Sequence, residues 1–212
     1  MTRCKWCNLK NSKYIEYHDN EWCKPNLDDK YLYEMLILES FQAGLSWECI
    51  LNKRDYFRKA YDNFQLDKVC SYSNKKINEL LNNKDIIRNK LKITASINNS
   101  KVFKEIVSEY GTFHNYLKIF TKDKIIYEIG KTTNELSDNI SNDLRKRGMK
   151  FIGSTIIYSY LQAIGVIYSH DEECYLYKTN IDEQSPDSAT IKSKKYLKEK
   201  LQKRIDDIKQ NL

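Results

Sequence analysis

The sequence predicts an all-α fold, and three observations carry that expectation. Only two prolines and six glycines occur in 212 residues, so long stretches run without a breaker. Within them apolar residues recur three and four positions apart, the spacing that lines one face of a helix. Residues that cap helix starts, and glycines that end helices, fall at the boundaries of the periodic segments. With 41% apolar residues, a chain of this length buries a core large enough to fold without covalent help, as one domain or as two small ones sharing a core.

In chain order, Asp28-Asp29 start a helix that turns Leu32, Leu36 and Leu38 inward and ends at Gly44. Ser46 caps the next, which carries Ile50, Tyr56, Phe57 and Tyr61. Asn74 precedes a short helix with Ile77, Leu80 and Leu81, and a longer one from Thr94 to Tyr110 closes at Gly111. Ser137 opens a further helix that runs to Gly148. The residues MKFI then separate Gly148 from Gly153-Ser154-Thr155 and the apolar segment IIYSYLQAIGV. Two helices joined so closely between glycines describe a helical hairpin. Backbone amides at such a turn can hold a phosphate, and the dense cluster Arg145-Lys146-Arg147-Gly148-Met149-Lys150 supplies attraction. On spacing alone, an ordinary helix–helix turn with solvated charges is the commoner case.

Residues 178–190 are polar and contain Pro186, the composition of a linker. Beyond them Leu197, Leu201, Ile205, Ile208 and Leu212 keep helical spacing among lysines, which describes an amphipathic helix. The expected organisation is a domain over 1–178 followed by a basic extension over 179–212. The formal net charge is +7, yet from Lys192 onward eight Lys/Arg face three Asp/Glu, so the rest of the chain is nearly balanced. Basicity alone is therefore weak evidence for a polyanion partner. No run reaches the roughly 18 apolar residues of a membrane span. The opening MTRCKWC lacks the apolar stretch of a secretory signal. A cytoplasmic protein is expected, its six cysteines being free thiols or metal ligands rather than a disulfide framework.

His170 and Cys174 are four apart, so they share a helical face or a tight turn and make half of a tetrahedral metal site. The other half could come from Cys4, Cys7 and His18. Spacing alone favours the familiar pair Cys4-Lys5-Trp6-Cys7, and unrelated positions for all of these groups are no less common. A second feature is Glu39, a carboxylate inside the apolar run LILESFQAGLSW. Such a charge is a capping group, an ion-pair partner, or a group held in a pocket for use. Gln42 shares its helical face, Trp47 follows at the turn, Tyr14 and Tyr17 share another face, and Trp6 and Trp22 are near in sequence. Rings around one carboxylate suit a planar, cationic, hydrogen-bonding ligand such as a methylated purine, although rings at these spacings more often pack a core. No serine or cysteine nucleophile with a neighbouring base stands out, and no phosphate-cradling glycine loop is present.

Together, RCKWC at the start, YHDNEW at 17–22, LESFQAGLSW at 38–47, IIRNKLKI at 86–93, KRGMKFIGSTIIYSYLQAIG at 146–165 and HDEEC at 170–174 resemble the DNA-3-methyladenine glycosylase I family. That is a bacterial base-excision repair family of the helix-hairpin-helix superfamily. The resemblance spans residues 1 to about 174 and leaves the tail outside. It implies a helix-hairpin-helix glycosylase fold in which a structural zinc, held by Cys4, His18, His170 and Cys174, ties the two ends of the domain together. Cys7 is then a bystander. It implies that Glu39 is the base-recognition residue with the catalytic role, and that Trp6, Tyr14, Tyr17, Trp22 and Trp47 wall the base pocket. The neighbouring Asp19 and Glu21 then serve local hydrogen bonding. It implies that Lys146, Arg147, Gly148, Lys150, Gly153 and Ser154 grip the DNA backbone.

The implied activity is hydrolysis of the N-glycosidic bond of 3-methyladenine in alkylated double-stranded DNA by a monomer, leaving an abasic site. The catalytic aspartate of other superfamily members has no counterpart here. Cys23 and Ser40 stand where the family has glycine, and the interval from Cys4 to His18 is one residue longer than the family's. A binding module without excision, or a glycosylase for another alkylated purine, shares most of these features.

Overall fold

A computed structural model describes residues 1–179, and Met1–Tyr177 form one compact unit. The amphipathic segment expected at 197–212 lies outside the described residues. Among the described residues ten α-helices account for nearly all regular structure. They are α1 Ser12–Asn20, α2 Asp29–Gln42, α3 Trp47–Asn52, α4 Arg54–Ala60, α5 Leu66–Cys70, α6 Asn74–Asn82, α7 Lys90–Tyr110, α8 Phe113–Thr121, α9 Glu135–Lys146 and α10 Ser154–Ala163. Two short strands, β1 Ile126–Tyr127 and β2 Ile167–Tyr168, pair in parallel.

The central element is α2, which packs against α3, α7, α8 and α10. Leu32, Tyr33, Met35, Leu36, Ile37, Leu38 and Phe41 are all buried, so the helix is enclosed on every side rather than presenting one apolar stripe. That enclosure explains how Glu39, on the same helix, comes to be removed from water. Asp28 caps α2 by accepting the Tyr31 amide, and Ser46 caps α3 by accepting the Cys49 amide, both as the sequence predicts.

Other boundaries differ for local reasons. The helix expected from Ser46 to Tyr61 is two helices separated at Lys53, whose amide turns back to the Ile50 carbonyl. No glycine or proline marks that break. The long helix begins at Lys90 because Asn89 accepts the Lys92 amide. Asn134 and Ser137 form a reciprocal capping box, which starts α9 before Ser137. The short helices α1, α5 and α8 were not anticipated; α1 is set by Asn11 and α8 by Thr112, each accepting an amide two or three residues on.

Two departures from the family pattern have different outcomes. Ser40 is ordinary buried helix, its hydroxyl donating to the Ile37 carbonyl at 2.7 Å. Cys23 has φ +61°, the left-handed region that glycine adopts without strain. Its Sγ accepts the Ser169 amide at 3.3 Å, so the side chain that strains the turn also ties it to the segment after β2.

Gly165, between α10 and β2, permits a close backbone approach. Its φ is +77°, and a Cβ there would lie 2.2 Å from the Pro25 nitrogen and 2.3 Å from the Lys24 carbonyl carbon. Because both neighbours are backbone, relief would require moving the chain. Gly165→Ala is expected to cost about 3 kcal/mol or more of unfolding free energy. Urea denaturation measures this, and a loss below about 1 kcal/mol would show that the chain shifts freely here.

Candidate functional site

Four stretches of chain bring five aromatic residues to one cavity of about 290 Å³. Helix α1 supplies Tyr14 and Tyr17, three residues apart on one face, and the chain after it supplies Trp22. The segment before α1 supplies Trp6, and the first residue of α3 supplies Trp47. The rings support one another: Trp6 lies 4.6 Å from Trp22 and 5.1 Å from Tyr14, and Tyr17 lies 5.4 Å from Trp47, centroid to centroid.

Glu39 and Gln42 of α2 form the cavity's polar wall. Glu39 is only 2% exposed, and burial pushes its carboxyl well above the usual carboxylate range. Burial likewise raises the Tyr14 phenol to about 12. Four buried polar atoms around this cavity lack a hydrogen-bond partner among the described residues: Glu39 Oε2, Gln42 Oε1, Trp6 Nε1 and Trp47 Nε1. Buried polar atoms are normally satisfied, so such a group around one cavity fits a ligand that supplies both donors and acceptors.

All six residues expected at a base pocket therefore line the same cavity. Sequence reasoning had given no role to Gln42, Ser159, Gln162, Lys131 or Ser169, which also line it. Ser159 and Gln162, three apart on α10, were legible as the polar interruption of an apolar segment. Lys131 belongs to a loop with no periodicity to read.

A second constellation adjoins the first. Cys4, His18, His170 and Cys174 are all buried, and their ligand atoms lie within 4.8 Å of one another. His170 Nδ1 is 3.4 Å from Cys4 Sγ and 3.5 Å from Cys174 Sγ, and His18 Nε2 is 3.5 Å from Cys174 Sγ. Burial lowers His170 to about 4, which keeps the imidazole in the neutral form that a metal requires. Behind His18, Asp19 Oδ1 is 2.8 Å from Nδ1, and Arg3 holds Asp19 through two hydrogen bonds of 2.8 and 2.7 Å. This carboxylate–histidine arrangement orients a ligand ring from its second nitrogen. Cys7 lies apart, its Sγ directed at the Tyr14 carbonyl at 3.8 Å, so the pair favoured by spacing alone is not the one the fold assembles. Glu21 has its own local partner, accepting from the Arg54 guanidinium at 2.6 Å.

The hairpin between α9 and α10 is present. Lys146 and Lys150 are exposed, and no side chain caps the amides at the start of α10, where Gly153 is the cap residue. The Ser154 hydroxyl is shared with Ser137 at 2.8 Å, which leaves its amide as the group offered outward. Arg147 departs from expectation: its guanidinium donates to Asp143, Glu109 and the Tyr110 hydroxyl and lies over the Tyr110 and Tyr116 rings. Its charge is engaged within the fold, so it is not a free cation for a phosphate.

Similarity to known proteins agrees with this geometry. The family model for methyladenine glycosylase matches residues 6–177. DNA-3-methyladenine glycosylase 1 of Escherichia coli is 37% identical over 187 residues, covering 85% of this chain and 99% of that protein. DNA-3-methyladenine glycosylase of Haemophilus influenzae is 34% identical over 179 residues, covering 82% and 96%. The structure describing 3-methyladenine recognition by 3-methyladenine DNA glycosylase I of Staphylococcus aureus superposes with a TM-score of 0.79 at 29% identity, over 84% of this chain and 100% of that one. With a match that runs from the first cavity tryptophan to the end of the compact unit, the chain belongs to the methyladenine glycosylase family.

Proposed function

We propose that this protein is a base-excision repair glycosylase that hydrolyses the N-glycosidic bond of 3-methyladenine in alkylated double-stranded DNA and leaves an abasic site. The observation that carries this reading is the aromatic cavity with four unpaired buried polar atoms, two N–H groups and two oxygens, one of them on a carboxylate. A purine entering it stacks on the rings and pairs with donors and acceptors at its edge.

Charge supplies the selectivity. Methylation at N3 makes the nucleotide's base cationic, which weakens the glycosidic bond before any protein group acts. In the free cavity, burial favours the neutral Glu39 carboxyl. A cationic base favours the carboxylate instead and is attracted to it, whereas undamaged adenine is neutral and gains nothing. The task of Glu39 is thus to hold the base edge while positive charge shifts from the base to the sugar, and no strong acid is required. Extrusion is easiest for a damaged base that stacks poorly.

Cys4, His18, His170 and Cys174 would hold one structural zinc ion. With sulfur at about 2.3 Å and nitrogen at about 2.0 Å from a tetrahedral zinc, S and N are separated by about 3.5 Å. Three of the S···N distances, 3.4 to 3.5 Å, match that edge. The ion would tie the segment bearing Trp6 to the end of the domain. Lys146, Gly148, Lys150, Gly153 and Ser154 would contact the DNA backbone, the lysines by charge and the turn by its amides. The reading includes a catalytic domain over 1–178, a separate basic extension over 179–212, and a cytoplasmic monomer. None of its six cysteines is in a disulfide, and no helix among the described residues is long and apolar enough to cross a membrane.

Chromatography of bases freed from methylated double-stranded DNA tests the activity. Release of 3-methyladenine above a no-enzyme control is expected; a folded, zinc-loaded protein that frees no base would instead be a binding module.

A further inference from the structure

The segment IIRNKLKI holds a lysine that does not behave as a surface residue. Lys92, in the first turn of α7, is only 8% exposed, and its ammonium donates to the carbonyls of Phe41 at 2.8 Å and Ala43 at 2.6 Å. These carbonyls close the C-terminal end of α2, where a cation both satisfies unpaired acceptors and opposes the helix dipole. The end so held carries Gln42 into the cavity and leads through Gly44 to Trp47, which lines it as well.

Seven residues on, about two turns and roughly 10 Å along the same face of α7, Asn99 makes an equally specific contact. It is fully buried and grips Lys150 of the hairpin from both sides, its amide donating to the Lys150 carbonyl and its oxygen accepting the Lys150 amide, each at 2.8 Å. Asn98 adds a bond from its amide to the Gly148 carbonyl at 2.8 Å. One straight helix thus holds the turn that shapes the base cavity at one point and the turn that faces the phosphodiester at another. Neither contact is needed to cover apolar core, and both end on backbone atoms, the groups that define where a turn sits.

We propose that α7 acts as a ruler between the DNA-gripping hairpin and the base cavity, with Lys92 and Asn99 as its two positioning residues. This rests on the glycosylase reading above. Neither side chain touches the base; each fixes how far the extruded nucleotide must travel from the held backbone to meet Glu39. Slack at either end leaves the cavity able to bind a free base and the hairpin able to bind DNA, but the two no longer act on one nucleotide at the right separation.

The test compares full-length wild type with Lys92→Met, Asn99→Ala, their double variant and the conservative Lys92→Arg. Three quantities are read: the melting temperature, the affinity for free 3-methyladenine, and the single-turnover release of 3-methyladenine from methylated duplex DNA. Misplacement of about 1 Å costs on the order of 100-fold in rate, which is the loss expected for each single variant on the duplex. Free-base affinity should stay within about twofold in Asn99→Ala, whose contacts are at the hairpin, and the double variant should be no slower than the worse single variant by more than about twofold, because either change breaks the same coupling. Lys92→Arg keeps a cation and several donors and should recover most of the rate; if Lys92→Met does not fold, the loss in Asn99→Ala carries the test. Unchanged release, free-base affinity that falls in step with release in Asn99→Ala, or losses that multiply in the double variant would each overturn the ruler. A wild type that binds the free base yet releases none from DNA would remove the glycosylase reading and the ruler with it, whereas an active wild type with unaffected variants removes the ruler alone.

Discussion

Glu39→Gln is expected to slow release of 3-methyladenine by about 100-fold or more, the scale of losing one preorganised electrostatic partner, while making the protein more stable at neutral pH. Glutamine keeps the shape and one acceptor oxygen but cannot become the anion that a cationic base attracts. Stability moves the other way because burial raises the Glu39 carboxyl in the folded protein. Between its ordinary value and the raised one, the unfolded chain releases the proton and the folded chain keeps it. Stability of the wild type therefore falls as pH rises through that window. Glutamine has no such dependence, so the variant's advantage is present at pH 7 and disappears toward pH 4. For a protein of this size each kcal/mol relieved raises the melting temperature by about 2–4 °C. Paired measurements of release rate and melting temperature at the two pH values check both arms. Full activity in the variant, or no gain at pH 7, would show that Glu39 is not the unpaired buried carboxylate described above.

The second large effect concerns the metal cluster. The purified protein is expected to contain about one zinc per chain, and Cys174→Ser to lose it and to lower the melting temperature by about 10 °C, the equivalent of a few kcal/mol. Two of the four side chains precede α2 and two follow β2, so removing one ligand releases the connection between segments at opposite ends of the unit. Trp6, 4.6 Å from Trp22 and 5.3 Å from His18, leans on that connection, and free 3-methyladenine should bind more weakly as well. Cys7→Ser is the matched control, since the Cys7 thiol donates to the Tyr14 carbonyl and is not one of the four clustered ligands. Elemental analysis and thermal melts decide the matter: if Cys7→Ser lost the metal and Cys174→Ser kept it, the ligand set would be wrong.

The contrast between Cys7 and His18 shows where sequence reasoning runs out. His-x-x-x-Cys is a local pattern and was readable, but its partners are distant in sequence, Cys4 being 166 residues from His170 and His18 156 from Cys174. What selects His18 is α1, a nine-residue helix with few apolar positions to announce it, which turns that imidazole toward the cluster. Helix starts with side-chain caps, such as Asp28 and Ser46, were legible because capping is chemistry between near neighbours. The break at Lys53 was not, because packing imposes it without a glycine or proline. Glu39 was visible as a charge out of phase with its apolar run. Lys92 and Asn99 were not, because a polar residue on a long helix reads as solvated until the fold shows which carbonyls it meets.

The junction of Cys4 with His170 also bears on how the protein is made. Cys4, Trp6 and His18 are synthesised before α2, yet the groups they close against, His170 and Cys174, emerge only after almost the whole compact unit. Until then the wall of the cavity that Trp6 supplies rests on the Tyr14 and Trp22 rings without the segment that closes over it. A chain that stops before Cys174 therefore lacks two of the four side chains of the cluster against which the Trp6 wall closes, and such a truncation is expected to leave the base pocket unfinished.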